Sequence, residues 1–183
     1  MPAAERISLW ALPSASDRDV YRPWIRHLAR NVKNEFEPHI TFFESIPSER
    51  SAAAAIGRVA SETEPFTAEL TDTRFTGKYF RCVVLIVRPE GPIVNLRNRL
   101  IGRLKESSVG DWDASTEDYC PHLSLLYGTL TADERERARA NIDLTLPARL
   151  LVDAMCLVNT SKGNARDWPT LETWPLRRDG PQR

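Results

Sequence analysis

The chain has 183 residues, of which 42% are hydrophobic and 27% charged, and 25 Lys and Arg balance 25 Asp and Glu for a formal net charge of zero. That length serves one compact domain or two small lobes sharing a core, and the composition is that of an ordinary soluble globular protein. A neutral chain argues against a dedicated duplex binder relying on many phosphate contacts, whereas a small phosphorylated ligand needs only a local patch.

Ile7 to Leu12 reads as a strand stopped by Pro13. Ser16 or Asp17 caps a helix running to about Lys33, with Val20, Trp24, Ile25 and Leu28 at helical spacing. Pro38 to Phe43 is a second strand, Glu49 to Ser61 an Ala-rich helix opened by Ser48, and Phe66 to Phe75 an alternating third strand. The order then restarts. Tyr79 to Val87 is a β-branched strand, Pro89-Glu90-Gly91-Pro92 a break, and Ile93 to Lys105 a helix. The polar stretch 107–118 is a loop long enough to act as a lid. Pro121 to Tyr127 is a strand, and Thr131-Ala132-Asp133-Glu134 is a capping box opening a helix to Asn141. Arg149 to Val158 and Leu171 to Trp174 close the series. Strand–helix–strand–helix–strand thus occurs twice, which predicts two lobes, 1–76 and 77–176, in one domain with strand exchange, followed by a frayed tail at 177–183.

Glu37-Pro38-His39-Ile40-Thr41-Phe42 and Cys120-Pro121-His122-Leu123-Ser124-Leu125 stand at equivalent places in the repeat and hold two of the three histidines. In an extended strand, residues i and i+2 share a face, so each segment presents an imidazole beside a hydroxyl. One His-x-Thr on a strand is usually structural; two facing pairs give two proton-transfer groups and two hydroxyl donors around one anion. Opening a cyclic phosphodiester needs that set: one imidazole takes a proton from water, the other gives one to the departing oxygen, and Thr41 and Ser124 hold the non-bridging oxygens. No cofactor or metal is called for. Two strand histidines lack a third ligand at metal spacing, and Asp118 and Glu37 read as solvated strand-end charges.

Around the motifs, Trp10 lies on a strand that would neighbour the first motif, and either Trp10 or Tyr127 could stack on a base. Tyr127 is five residues after His122, so regular alternation turns it to the other face unless the strand bends. Lys78 and Arg81 could bring positive charge, and His27 reads as a partly exposed helix residue. Cys82, Cys120 and Cys156 are odd in number without a CxxC pair, and the N-terminus lacks an apolar leader core. Reduced thiols in a cytoplasmic protein are expected, with Cys120 turned to the same face as His122. The longest apolar runs, such as 82–87, are too short to cross a membrane.

The paired His-x-Thr/Ser motifs resemble the two-histidine (2H) phosphoesterase superfamily. Ser8-Leu9-Trp10-Ala11-Leu12-Pro13, the two motifs with Leu126-Tyr127, and Leu171-Glu172-Thr173-Trp174 resemble, in the same order, the plant and yeast cyclic nucleotide phosphodiesterases. The resemblance implies an α+β, bilobal, LigT-like fold of two pseudo-twofold antiparallel sheets flanked by helices, with the site in the central cleft. It implies hydrolysis of ADP-ribose 1'',2''-cyclic phosphate, a by-product of tRNA splicing, to the 1''-phosphate, and of nucleoside 2',3'-cyclic phosphates to 2'-phosphates. It implies His39 and His122 as the catalytic pair, Thr41 and Ser124 as phosphate ligands, and Trp10 as a substrate-contacting aromatic. His122 is favoured as base and His39 as acid, though the symmetric motifs leave the order open. The partner expected is a small cyclic nucleotide, with no long nucleic acid and no membrane, and the chain is expected to be a monomer. The alternatives are an enzyme of RNA ends, of the 2',3'-cyclic phosphodiesterase or 2'-5' RNA ligase-like kind, and a non-catalytic nucleotide-binding module.

Overall fold

A computed structural model of the protein describes residues 6–31, 34–46, 49–106, 119–161 and 163–177. In chain order these form β1 (Ile7–Pro13), α1 (Ala15–Leu28), β2 (Ile40–Phe43), α2 (Glu49–Ser61), β3 (Phe66–Phe75), β4 (Val83–Val87), α3 (Pro92–Glu106), β5 (His122–Leu126), α4 (Ala132–Asn141), β6 (Ala148–Asn159) and β7 (Thr170–Pro175). Short 3-10 turns occupy Ala29–Asn31, Tyr79–Arg81 and Ala165–Asp167.

Every strand pairing is antiparallel. The seven strands run in the order β1-β2-β5-β4-β3-β6-β7, and β6 also pairs with β1. The two sheets expected from the repeat are therefore joined. The long β6 pairs with β3 from Ala148 to Val152 and with β1 from Val152 to Asn159. The two motif strands, β2 and β5, meet at a single register pair, Ile40 with Leu123.

Alternation decides what faces the core. Ile7, Leu9 and Ala11 of β1 enter the main cluster with Ile40, Leu85, Leu123, Leu125 and Met155. The helices cover it with apolar stripes: Ala52, Ile56 and Val59 from α2, and Ile93, Leu96, Leu100 and Leu104 from α3. Each such Leu or Ile, fully buried, contributes about 1.5–3 kcal/mol. The opposite face of β1 carries Trp10, which joins Cys156 and Val158 of β6 in a separate cluster, flanked by Leu12 and Trp168. Gly91 turns the chain into α3 with φ +68°, a conformation costly for any side chain. Gly57 lets α2 lie against β7, since a Cβ there would stand 3.0 Å from the Trp174 indole nitrogen.

Several boundaries differ from the sequence expectations. Ser14, not Ser16 or Asp17, caps α1: its hydroxyl accepts from the Asp17 amide. That helix ends at Leu28, and Val20 is 54% exposed while Tyr21 takes its place in the core beside Ile25. Residues 79–81 form a 3-10 turn, so the next strand begins at Val83. The loop 107–118 and Ser48 lie outside the described residues. The capping box at Thr131 and Glu134 is present in both its halves. No helix of the described residues is long and apolar enough to cross a membrane.

Candidate active site

The register at Ile40 and Leu123 builds the site. Both are 0% exposed, so their neighbours along each strand point the other way. Continuing that antiparallel register sets His39 opposite Ser124 and Thr41 opposite His122. The four motif residues therefore form one patch on one face, each imidazole flanked by a hydroxyl along its own strand and another across the seam. Trp10 extends the patch: it is the β1 partner of Thr41 and stacks on the His39 ring with centroids 3.5 Å apart and planes 8° from parallel.

Both histidines are held in the same way. His39 Nδ1 donates to the Glu37 carbonyl at 2.6 Å, and His122 Nδ1 donates to the Cys120 carbonyl at 2.8 Å. A carbonyl only accepts, so in each neutral ring the proton sits on Nδ1 and Nε2 is the free base. His39 Nε2 lies 3.1 Å from the Tyr127 hydroxyl, which donates to it. Burial pushes the His39 pKa down to about 3; the Glu37 carbonyl opposes this, and the charge of a protonated His122 adds to it. His122, which is less buried, is also lowered, first by desolvation and then by the Arg81 guanidinium, against the Cys120 carbonyl and Glu44. Without a ligand, both rings are neutral near pH 7.

Tyr127 reaches this face because β5 is bulged. Val83 pairs with Leu126 and Val84 with Ser124, which leaves Leu125 as an extra residue. The bulge shifts the alternation by one and returns Tyr127 to the side of His122 and Ser124. Its buried phenol is raised well above its ordinary pKa by desolvation, against a hydrogen bond with Ser124. Ser124 also donates to the Phe80 carbonyl at 3.2 Å. Sequence reasoning missed three aromatics here. Phe36 stacks on Tyr127 at 3.8 Å, and Phe80 and Trp168 approach the same ring at 5.4 and 6.0 Å. Nothing in their local sequence marks them, since each sits on a turn or connecting segment.

The other residues picked from the sequence separate clearly. Arg81 pairs with Glu44 at 3.2 Å and acts on His122 through its charge. Lys78 is exposed, and its amide donates to the Thr76 hydroxyl. The Glu37 carboxylate is tied to Arg22 at 2.7 Å, while its carbonyl serves His39. His27 is exposed. Cys82 and Cys156 are buried free thiols, Cys156 pushed up to about 12 by desolvation, and Cys120 is half-buried beside His122. Asp118 lies outside the described residues. Among the described residues, no three of His, Cys, Asp and Glu gather closely enough to hold a metal ion.

Residues 13–164 match the model of the 2'-5' RNA ligase superfamily. The chain belongs to that superfamily, the 2H phosphoesterases, and is an enzyme of phosphodiester chemistry. It is similar to a cyclic phosphodiesterase of Arabidopsis thaliana, at 27% identity over 179 residues, covering 91% of this chain and 90% of that protein. Solved structures share the fold. The protein TT0787 of Thermus thermophilus has a TM-score of 0.64 at 16% identity, covering 96% of this chain and all of that one. Escherichia coli LigT complexed with 3'-AMP has a TM-score of 0.57 at 19% identity, covering 95% and 99%. In this 2H phosphoesterase the two His-x-Thr/Ser segments stand on adjacent, paired strands.

Proposed function

We propose that the protein is a metal-independent cyclic phosphodiesterase acting on small nucleotides. It opens nucleoside 2',3'-cyclic phosphates to 2'-phosphates, and ADP-ribose 1'',2''-cyclic phosphate to ADP-ribose 1''-phosphate. The observation that carries this reading is the patch of His39, Thr41, His122 and Ser124, with both Nδ1 atoms tethered so that proton transfer falls to Nε2, at His39 once the Tyr127 hydroxyl turns aside.

The cyclic phosphate anion docks against the Thr41 and Ser124 hydroxyls, the latter released from the Phe80 carbonyl. Its charge favours an imidazolium, so one proton enters the histidine pair with the substrate. His122, the less buried ring, meets water: Nε2 takes a proton as the water oxygen attacks phosphorus. His39, shielded by Trp10, carries the other proton. As the bond from phosphorus to the 3' oxygen breaks, His39 Nε2–H protonates that oxygen, leaving a 2'-phosphate and a free 3'-hydroxyl. One water is consumed, and the pair ends with the proton moved from His39 to His122. Each proton transfer contributes ~10²- to 10⁴-fold, and the hydroxyl donors stabilise charge on the non-bridging oxygens.

A panel of 2',3'-cyclic mononucleotides, ADP-ribose 1'',2''-cyclic phosphate and an oligonucleotide ending in a cyclic phosphate tests this, with products resolved as 2'- or 3'-phosphates and chelator present throughout. The reading expects 2'-phosphates from the small substrates. Faster turnover of the oligonucleotide would move the enzyme to RNA ends. Binding of a 2'-nucleotide without hydrolysis of any cyclic substrate would reduce it to a binding module.

A further inference from the structure

A pocket of about 420 Å³ lies beside Trp10 and Phe36, which with Tyr127 contact His39. One face of the Trp10 ring is stacked on His39, so the pocket occupies another side of the same indole. Its far wall includes Trp168, whose ring centroid is 6.1 Å from that of Trp10. Four arginines line it: Arg18, Arg22 and Arg26 from α1, and Arg166 from the turn before β7. The α1 residues recur every four positions and so form one stripe on one helix face.

Two carboxylates, Glu35 and Glu37, share the lining, and two more outside it, Asp19 and Asp167, pair with Arg22 and Arg166. Arg22 is paired with Glu37 at 2.7 Å, and Arg26 with Glu35 at 3.5 Å. Arg18 is less well served. Its Nη1 donates to the Pro13 carbonyl at 3.1 Å, but its Nε is buried without a hydrogen-bond partner among the described residues, 3.8 Å from the nearest Glu37 oxygen. Arg166 is 3.6 Å from Asp167 and largely exposed. Four guanidiniums gathered next to two indoles, one of them holding an unsatisfied donor, are the chemistry of a nucleotide's phosphate groups.

We propose that this pocket is a second anion subsite, in which Arg18 and Arg166 bind the diphosphate of a nucleotide substrate whose cyclic phosphate lies at the histidines. The proposal rests on the cyclic phosphodiesterase reading for its substrate and names the class it prefers: cyclic phosphates that also carry a diphosphate, over those ending in a free 5'-hydroxyl. Trp10 is the shared wall, placing the reacting phosphate on the His39 side and the diphosphate on the other.

Two measurements on the full chain test it. Turnover is compared for adenosine 2',3'-cyclic phosphate with a 5'-hydroxyl and for the same nucleotide with a 5'-diphosphate, in the wild type, Arg18→Gln and Arg166→Ala. The ratio of kcat/KM values should favour the diphosphate by about tenfold or more at low salt and fall towards one in both variants. Arg166, exposed on a turn, can be replaced without threatening the fold. Pyrophosphate is also titrated calorimetrically into the wild type, both arginine variants and His122→Ala. Binding that weakens in the arginine variants and persists in His122→Ala supports the subsite even if neither nucleotide is hydrolysed, the outcome that would sink the phosphodiesterase reading alone. A kcat/KM ratio near one in the wild type, pyrophosphate binding indifferent to Arg18 and Arg166, or binding lost in His122→Ala overturns the subsite, whether or not the cyclic nucleotides are turned over.

Discussion

Trp10 has two effects on His39 that separate by measurement. It fills space in the small cluster with Cys156 and Val158, and it covers one face of the imidazole. Trp10→Ala should cost about 3–5 kcal/mol in denaturant unfolding, as for a large buried aromatic. By admitting water to His39, it should also move the ring back towards its ordinary pKa. That makes pH the second probe. In the unfolded chain His39 takes up a proton near pH 6.5, whereas in the fold it resists until about pH 3. Its contribution to stability is therefore full above pH 6.5 and is lost as pH falls towards 3, at up to about 1.4 kcal/mol per pH unit. Unfolding free energies measured from pH 7.5 down to 4 should fall more steeply in the wild type than in His39→Gln; parallel slopes would contradict the buried neutral ring. The paired motifs and the neighbouring Trp10 strand were legible at this scale, because each depends on alternation within a few residues; the carbonyl tethers of the two histidines emerge only from the folded backbone. Tyr127 was not: its side of the strand is set by the extra residue Leu125, and a bulge depends on pairing with β4.

At the level of elements, the seam between β2 and β5 is narrow, and α3 reinforces it. Arg97 of α3 is buried, with its guanidinium 4.2 Å from the Tyr119 ring and 5.1 Å from Phe43. Tyr119 leads into the second motif, and its hydroxyl donates to the Thr41 carbonyl in the first at 3.4 Å. Burial lowers the Arg97 pKa, with Tyr119 opposing. Arg97→Ala removes two cation–π contacts and leaves a cavity, so it should cost about 2–4 kcal/mol and lower kcat by loosening the register that holds His39 opposite Ser124. Thr131→Ala is the counterpart: it breaks the capping box of α4, should cost about 1 kcal/mol, and should leave kcat unchanged. An unchanged kcat in Arg97→Ala would show that the seam does not depend on this clamp. The helices and most strands were legible from periodicity. The cap at Ser14, the exposure of Val20 and the 3-10 turn at Tyr79–Arg81 were not, because packing against β6 and the hydrogen bonds of that turn set them.

Across the whole molecule, the repeat read from element order becomes one connected sheet, since β6 serves both β1 and β3. The consequence for function is coupling: the two histidines share a surface, and a charge on His122 lowers the His39 pKa. The proposed mechanism needs one ring protonated and one neutral, and both free-enzyme pKa values lie below the ordinary 6.5. The pH profile of kcat/KM should therefore peak on the acid side of 6.5 and decline as pH rises, with apparent pKa values that belong to the pair; an optimum above pH 7.5 would contradict the buried, neutral resting state. The central claim, that two histidines divide the acid and base work, is tested most directly by turnover of 2',3'-cyclic AMP in the wild type, His39→Ala, His122→Ala and the double variant, with circular dichroism confirming the fold. The account predicts that each single variant loses at least about 10²-fold in kcat and that the double variant loses little more than the worse single. A single variant that retains wild-type turnover would contradict it.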